Sequence, residues 1–273
     1  MPSTAPYWKK AEEDIIKHAL DLAWNFPEQR QGVVSIVGGN ASAFLSEVKT
    51  TEYINKSFTF LKGVKNIFPD ALKSKLPPID SISYFKSTDS GSFASSPEFR
   101  HALEDSDVGL LLGDFSKNSN TSIAVSELIK NSSDIPLILA RDSAELVVQE
   151  INNFIERDNL FFVTSMASLQ KIFRALYYPR PIMLSQPIFP VIETLHKFTL
   201  SYKTAIITFH EGKIICAKNG NIVTIDLEKT RFTPVTLWSG ELAANLAVFA
   251  MFNKQNPLEV MIASVKYDKP QTM

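Results

Sequence analysis

Apolar positions along the chain follow two rhythms, one helical and one strand-like. Between Tyr7 and Phe26, Ala11, Ile15, Ile16, Ala19, Leu20 and Ala23 recur at helical spacing, and Pro27 stands where the run should stop. GVVSIVGGN (Gly32 to Asn40) reads as a buried strand closing on a glycine pair, and Ala41 to Val48 as the helix after it. Phe58 to Leu76 has no clear period. SISYFKS (Ser81 to Ser87) reads as a strand, and the Ser- and Gly-rich stretch from Ser87 to Phe99 as a long surface loop.

Three strand–helix units follow. Asp107 to Asp114, Ile135 to Asp142 and Asn159 to Ser165 are continuous apolar runs; Asn120 to Ser132, Ser143 to Arg157 and Met166 to Leu176 are helical. Such alternation predicts a parallel sheet covered on both faces, with every strand's carboxyl end on one edge. Tyr177 to Pro187 holds three prolines and reads as a loop, and Ile188 to Tyr202 as a helix. The pattern then switches. Thr204 to Leu227 predicts three short strands with turns at His210-Glu211-Gly212 and Asn219-Gly220, the second a hairpin signature. Pro257 to Tyr267 is a last amphipathic helix. Neither a repeat nor a linker interrupts residues 1–273, so one domain is expected.

The stretch from Thr236 to Asn253 stands apart. A strand-like run leads to the turn Ser239-Gly240-Glu241, and the helix after it is apolar all round. Such a helix is buried, and the unpaired N–H groups at its start attract anions. A plainer reading stands beside this one: Ser239 as an N-cap and Glu241 as an acid favoured by the helix dipole.

Composition narrows the classes. Hydrophobic residues make up 45% of 273 and charged ones 21%, as in a folded globular protein. A net charge of -1 gives no general pull toward nucleic acid or an anionic membrane. The single cysteine, Cys216, excludes an internal disulfide framework and a cysteine-based zinc site, and its apolar surroundings predict an inert buried thiol. No apolar run is long enough to span a bilayer, and the N-terminus lacks a signal-peptide pattern, so a cytoplasmic protein is the expectation.

Candidate chemistry sits at strand and helix ends. Asp114 and Asp142 follow strands, where ligands of α/β folds gather, although each also suits a helix cap. His210 lies in a turn, where exposure to water is expected. The remaining histidines, His18, His101 and His196, have no metal-ligand spacing, and neither a P-loop nor a serine nucleophile elbow occurs.

In this order the chain resembles the ribokinase-like superfamily, and within it the ADP/ATP-dependent NAD(P)H-hydrate dehydratases, a carbohydrate-kinase-like family. The resemblance spans about Gly32 to Tyr267. VVSIVGGN matches the early strand ending in Gly-Gly. DVGLLLGDFSKNSN keeps only Gly113 of a Gly-Pro-Gly-Leu-Gly turn. IPLILARDSAELV carries Arg141 and Asp142 at the next strand end, and FFVTSMASLQK keeps Thr164 of a Thr-Pro-His motif. TFHEGKII places His210, Glu211 and Gly212 where the family has Lys-Gly. KNGNIVTID matches a hairpin, and WSGELAANLAVFAMF matches a Gly-x-Gly-Asp turn before an apolar helix, with Trp238 for the first glycine and Glu241 for the acid.

The resemblance implies a ribokinase-like α/β fold: a mainly parallel central sheet, helices on both faces and an antiparallel hairpin at one side. It implies ADP or ATP, with Mg²⁺, held by Ser239, Gly240, Gly113, Asp114, His210 and Asn219, with Glu241 as catalytic base and no protein-bound metal. The partners implied are a small-molecule nucleotide and further copies of the chain, with no nucleic acid and no membrane. Three functions remain open: a binding protein whose catalysis is weakened or lost, an active dehydratase or small-molecule kinase, and a non-catalytic scaffold.

Overall fold

The computed structural model describes residues 5–23, 26 and 29–268. Its strands are β1 (Trp8–Lys10), β2 (Gln31–Gly38), β3 (Leu61–Pro69), β4 (Ile82–Phe85), β5 (Val108–Gly113), β6 (Leu137–Ala140), β7 (Leu160–Val163), β8 (Ala205–His210), β9 (Lys213–Lys218) and β10 (Asn221–Asp226). The helices are α1 (Glu13–Ala23), α2 (Leu45–Ser57), α3 (Pro97–Arg100), α4 (Ser119–Asn131), α5 (Ser143–Leu146), α6 (Met166–Ala175), α7 (Ile188–Ser201), α8 (Glu241–Phe252) and α9 (Pro257–Lys266).

All ten strands form one sheet in the order β1-β10-β9-β8-β7-β6-β5-β2-β3-β4. Only β9 is antiparallel to its neighbours, β8 and β10; every other pairing among the described residues is parallel. The carboxyl ends of β2, β5, β6, β7, β8 and β10 therefore share one edge. Two-residue turns join the reversed strand to its neighbours, with positive φ at Glu211 and Gly212 and again at Asn219 and Gly220. That is the backbone a tight hairpin with right-handed twist demands.

Alternate residues of the strands feed two cores. Val34, Ile36, Leu110, Leu112, Ile138 and Ile207 meet α1, α2, α8 and α9 on one face. Val37, Leu111, Leu139, Phe162, Ile206 and Ile215 meet α3 to α7 on the other. The centre of the first layer is α8, buried continuously from Leu242 to Met251. A fully apolar helix tolerates this position because its backbone bonds are internal. The one polar side chain of that buried run, Asn245, accepts from Tyr53 OH at 2.8 Å and donates to the Ser264 carbonyl at 2.9 Å.

The structure departs from the sequence reading in several places. Trp8–Lys10 is not helical: it pairs in parallel with Ile222–Thr224, Trp8 Nε1 donates to Thr224 Oγ1 at 3.0 Å, and the helix begins only at Glu13. Pro27, expected to stop that helix, lies outside the described residues. Ala41–Phe44 is a turn held by Asn40, so α2 runs from Leu45 to Ser57, well past Val48. The unassigned stretch after Phe58 supplies β3. Ser143 to Arg157 gives one helical turn and a 3-10 segment, Val148–Asn153, not a long helix. The approach to Ser239 is a loop with a 3-10 turn at Thr236–Trp238, not a strand. No helix among the described residues is long and apolar enough to cross a membrane.

Candidate functional site at the sheet's carboxyl edge

From β2 the chain steps outward to β3 and β4, then returns to β5 on the other side of β2 and continues to β6, β7 and β8. The order reverses between β2 and β5, the position where open α/β sheets form a crevice. Both strands end there in glycine. Gly39 N donates to Gly113 O at 2.9 Å, so the two strand ends are tied across the crevice. Positive φ collects at this edge: Gly39 (86°), Gly113 (125°), Asp114 (56°), Arg141 (54°) and Gly240 (107°). Left-handed backbone at non-glycine residues such as Asp114 and Arg141 carries strain, which tends to cluster at functional sites.

The side chains interlock. Arg141 Nη2 donates to Asp114 Oδ1 at 2.8 Å and Nη1 to Oδ2 at 3.4 Å, a two-point contact with both partners partly buried. Asp114 N donates to Asp142 Oδ1 at 3.0 Å, and Asn40 Nδ2 donates to Asp114 O at 2.6 Å. Asp142 precedes α5 yet caps nothing with its side chain, because that oxygen is already engaged; Asp114 is not a cap either, since Asn118 caps α4. Burial raises the Asp142 carboxyl, against the pull of the Asp114 N–H.

The most unusual group is Glu47, which sequence reasoning missed. It lies on α2, fully buried, and neither carboxyl oxygen meets a hydrogen-bond partner among the described residues. Burial, then the nearby Asp114 carboxylate, push its pKa up to about 8, with Asp142 adding to the rise and its own backbone N–H and Arg141 opposing it. Glu47 is thus mostly a neutral acid at pH 7. The signal was present: Glu47, Thr50 and Ile54 stand at i, i+3 and i+7 and are the three buried residues of α2.

Thr50 leads to the opening turn of α8. The residue is 2% exposed, its hydroxyl has no partner among the described residues, and a Cβ on Gly240 would overlap that hydroxyl and lie 3.2 Å from Leu112 Cδ1. Gly240 therefore sits over the end of β5. It, and not Ser239, is the N-cap residue of α8, and no side chain caps the helix. Ser239 is exposed and donates to the Thr236 carbonyl at 2.8 Å. The first intrahelical bond is Ala244 N to Gly240 O at 2.8 Å, so the amides of the preceding turn have no intrahelical acceptor. Glu241 Oε2 accepts from Arg231 Nη1 at 2.6 Å.

Gly113, Asp114, Asp142, Ser239, Gly240 and Glu241 thus gather on one edge. Two candidates stand apart from them, His210 farther along the same edge and Asn219 at the other edge. His210 ends β8, three strands from β5, about 14 Å away at ordinary strand spacing. It is 7% exposed, not open to water as its turn position suggested, because Nε2 pairs with the Gln186 carbonyl at 2.6 Å. Asn219 lies between the reversed β9 and β10, hence at the opposite edge of the sheet.

Two clefts open on the carboxyl edge. One, of about 540 Å³, includes Lys117, Asn118, Ser122 and Asp142 in its lining; the other, of about 670 Å³, includes Lys213, Thr230, Arg231 and Phe232. No group of three or more His, Cys, Asp or Glu among the described residues is arranged to hold a metal ion.

No family profile matches the chain, and no curated protein sequence matches it. Solved structures do. A ribokinase-like superfamily protein from Enterococcus faecalis V583 superposes with a TM-score of 0.66 at 15% identity, over 97% of this chain and 87% of that one. A hypothetical protein from Streptococcus mutans gives 0.67 at 14% identity, over 94% and 87%. The ADP/ATP-dependent NAD(P)H-hydrate dehydratase of Bacillus subtilis, co-crystallized with ATP/Mg²⁺, gives 0.59 at 10% identity, over 92% and 84%. The fold is ribokinase-like, as the order of motifs implied.

Proposed function

We propose that this protein is a divergent relative of the NAD(P)H-hydrate dehydratases that binds ADP or ATP through phosphate at the turn 239–241, with catalysis weakened or lost. The observation that carries this reading is the uncapped start of α8, set over the end of β5 beside the crevice between β2 and β5. The start of this twelve-residue helix carries amides with no intrahelical acceptor and the positive end of its dipole. A side chain at position 240 would collide with Thr50 and press on Leu112, so the turn keeps this form only with glycine.

The loss of catalysis is argued from Glu241. A general base must reach its proton with a free lone pair. Here one carboxylate oxygen is already engaged by Arg231, which fixes its direction. Trp238 stands where the resemblance has a glycine, and the acids at the strand ends are bound to Arg141 and to one another through the Asp114 backbone. Mg²⁺ would be held by the nucleotide phosphates, whose charge it would offset.

Thermal denaturation with ADP and ATP, each with and without Mg²⁺, tests the binding. A ligand specific for the folded state raises the midpoint, and millimolar nucleotide without effect refutes the reading. Turnover of hydrated NADH by the wild type, lost in Glu241→Gln, would instead establish an active dehydratase.

A further inference from the structure

We propose that the Glu241 carboxylate is an internal stand-in for a ligand phosphate, and that a nucleoside di- or triphosphate takes Arg231 over from it. The inference rests on the reading that an anion is held at the start of α8.

Arg231 is built into the site more firmly than its ion-pair partner. Its Nη2 donates to Tyr53 OH at 2.8 Å, and Tyr53 OH donates to the fully buried Asn245 at 2.8 Å. The guanidinium carbon lies 4.6 Å from the centroid of Phe232 and 5.3 Å from that of Tyr53. Two rings, one of which also accepts a hydrogen bond at its phenol oxygen, therefore hold the fork where it is, independently of Glu241. Only the remaining Nη1 goes to Glu241, whose side chain is 39% exposed. A half-exposed carboxylate on a single contact is the replaceable member of the set.

The place suits phosphate in three ways. A guanidinium presents paired donors that match phosphate oxygens. The same Arg231 lines a neighbouring cleft of about 670 Å³, the size of a small-molecule site, whose lining includes Phe232 and Lys213 but no residue of the 239–241 turn. Beside Gly240, Thr50 is 2% exposed and its hydroxyl has no hydrogen-bond partner among the described residues. An anion seated on the α8 amides thus stands next to the first residue of α8, Glu241, and next to the arginine that Glu241 occupies. Two anions cannot share that position without repulsion, so the carboxylate swings aside as the phosphate enters.

Calorimetric titration with ADP and with inorganic pyrophosphate tests this on the full chain. Glu241→Gln removes the competitor, and its affinity is expected to rise about two- to fivefold over wild type, the range that partly exposed ion pairs contribute. Arg231→Lys, which keeps charge but loses the fork, should bind at least tenfold more weakly. The double variant Arg231→Lys/Glu241→Gln should show no gain over Arg231→Lys alone. Circular dichroism and melting temperatures confirm that each variant is folded. Equal or weaker binding by Glu241→Gln overturns the proposal while leaving nucleotide binding standing. A gain that persists in the double variant overturns it as well, since simple charge repulsion would then suffice. Absence of binding in both the wild type and Glu241→Gln overturns this proposal and the nucleotide reading together.

Discussion

Glu47 fills the space that a side chain on Gly38 would need. A Cβ at position 38 would overlap Glu47 Oε1 and stand 2.7 Å from the Gly113 carbonyl. The glycine at the end of β2 is thus required by a buried acid from α2, and φ plays no part, since Gly38 is not among the positive-φ residues. Gly38→Ala should cost about 1–3 kcal/mol by overpacking. Glu47→Ala opens the same space, so the double variant should lose less than the sum of the two single variants. A urea-denaturation cycle that returns strict additivity would refute the contact.

Glu47 also gives the fold a pH dependence of definite sign. The group's pKa is raised from 4.5 to about 8 on folding, so between those values the folded state holds a proton that the unfolded state has released. Stability therefore falls as pH rises from about 4.5 to 8, and the trend ends above 8, where both states are ionised. Glu47→Gln carries no such penalty. It should be the more stable protein at pH 7, by on the order of 3 kcal/mol at most, with the gap closing below pH 5. Chemical denaturation of both proteins from pH 4.5 to 9 measures the gap.

Gly240 combines two constraints, a φ of 107° and the neighbouring Thr50 hydroxyl. Gly240→Ala is expected to lose about 1–3 kcal/mol from backbone strain. It should also lose any midpoint shift given by ADP. A variant that melts normally and still responds to ADP would show that the turn tolerates a side chain and holds no phosphate.

Cys216 is fully buried in β9, and burial raises its thiol far above the usual range. A thiol-specific reagent at pH 8 should leave the native protein unlabelled and react stoichiometrically in denaturant. Fast labelling of the native protein would place the residue at a surface.

Much of the fold was legible because it is written in local chemistry. Val108–Gly113, Leu137–Ala140 and Leu160–Val163 are apolar on both faces, as strands buried between two helical layers must be. Asn219-Gly220 fixed a hairpin by its turn alone, and α8 declared its burial by having no polar face. What escaped depends on distant partners. Trp8–Lys10 becomes a strand only because Ile222–Thr224 offers an edge, which outweighs a helical period that continues from it. Ser143 to Arg157 has helical spacing, but the Asp142 carboxylate that would cap it is drawn to the Asp114 amide 28 residues earlier. At the site, strand ends placed Asp114 and Asp142 together, and the turn before an apolar helix marked Gly240. Asn219 was misplaced by motif matching where the hairpin itself, by reversing the chain, sends the turn to the far edge. Glu47 was passed over because a glutamate in a short helix usually faces water.

The three-residue strand β1 has a role larger than its length. Its parallel seam on β10 covers ladder groups that the hairpin would otherwise present to any passing extended chain. That short strand is therefore a selvage: trim it, and the sheet acquires a raw border inviting copies to stitch together.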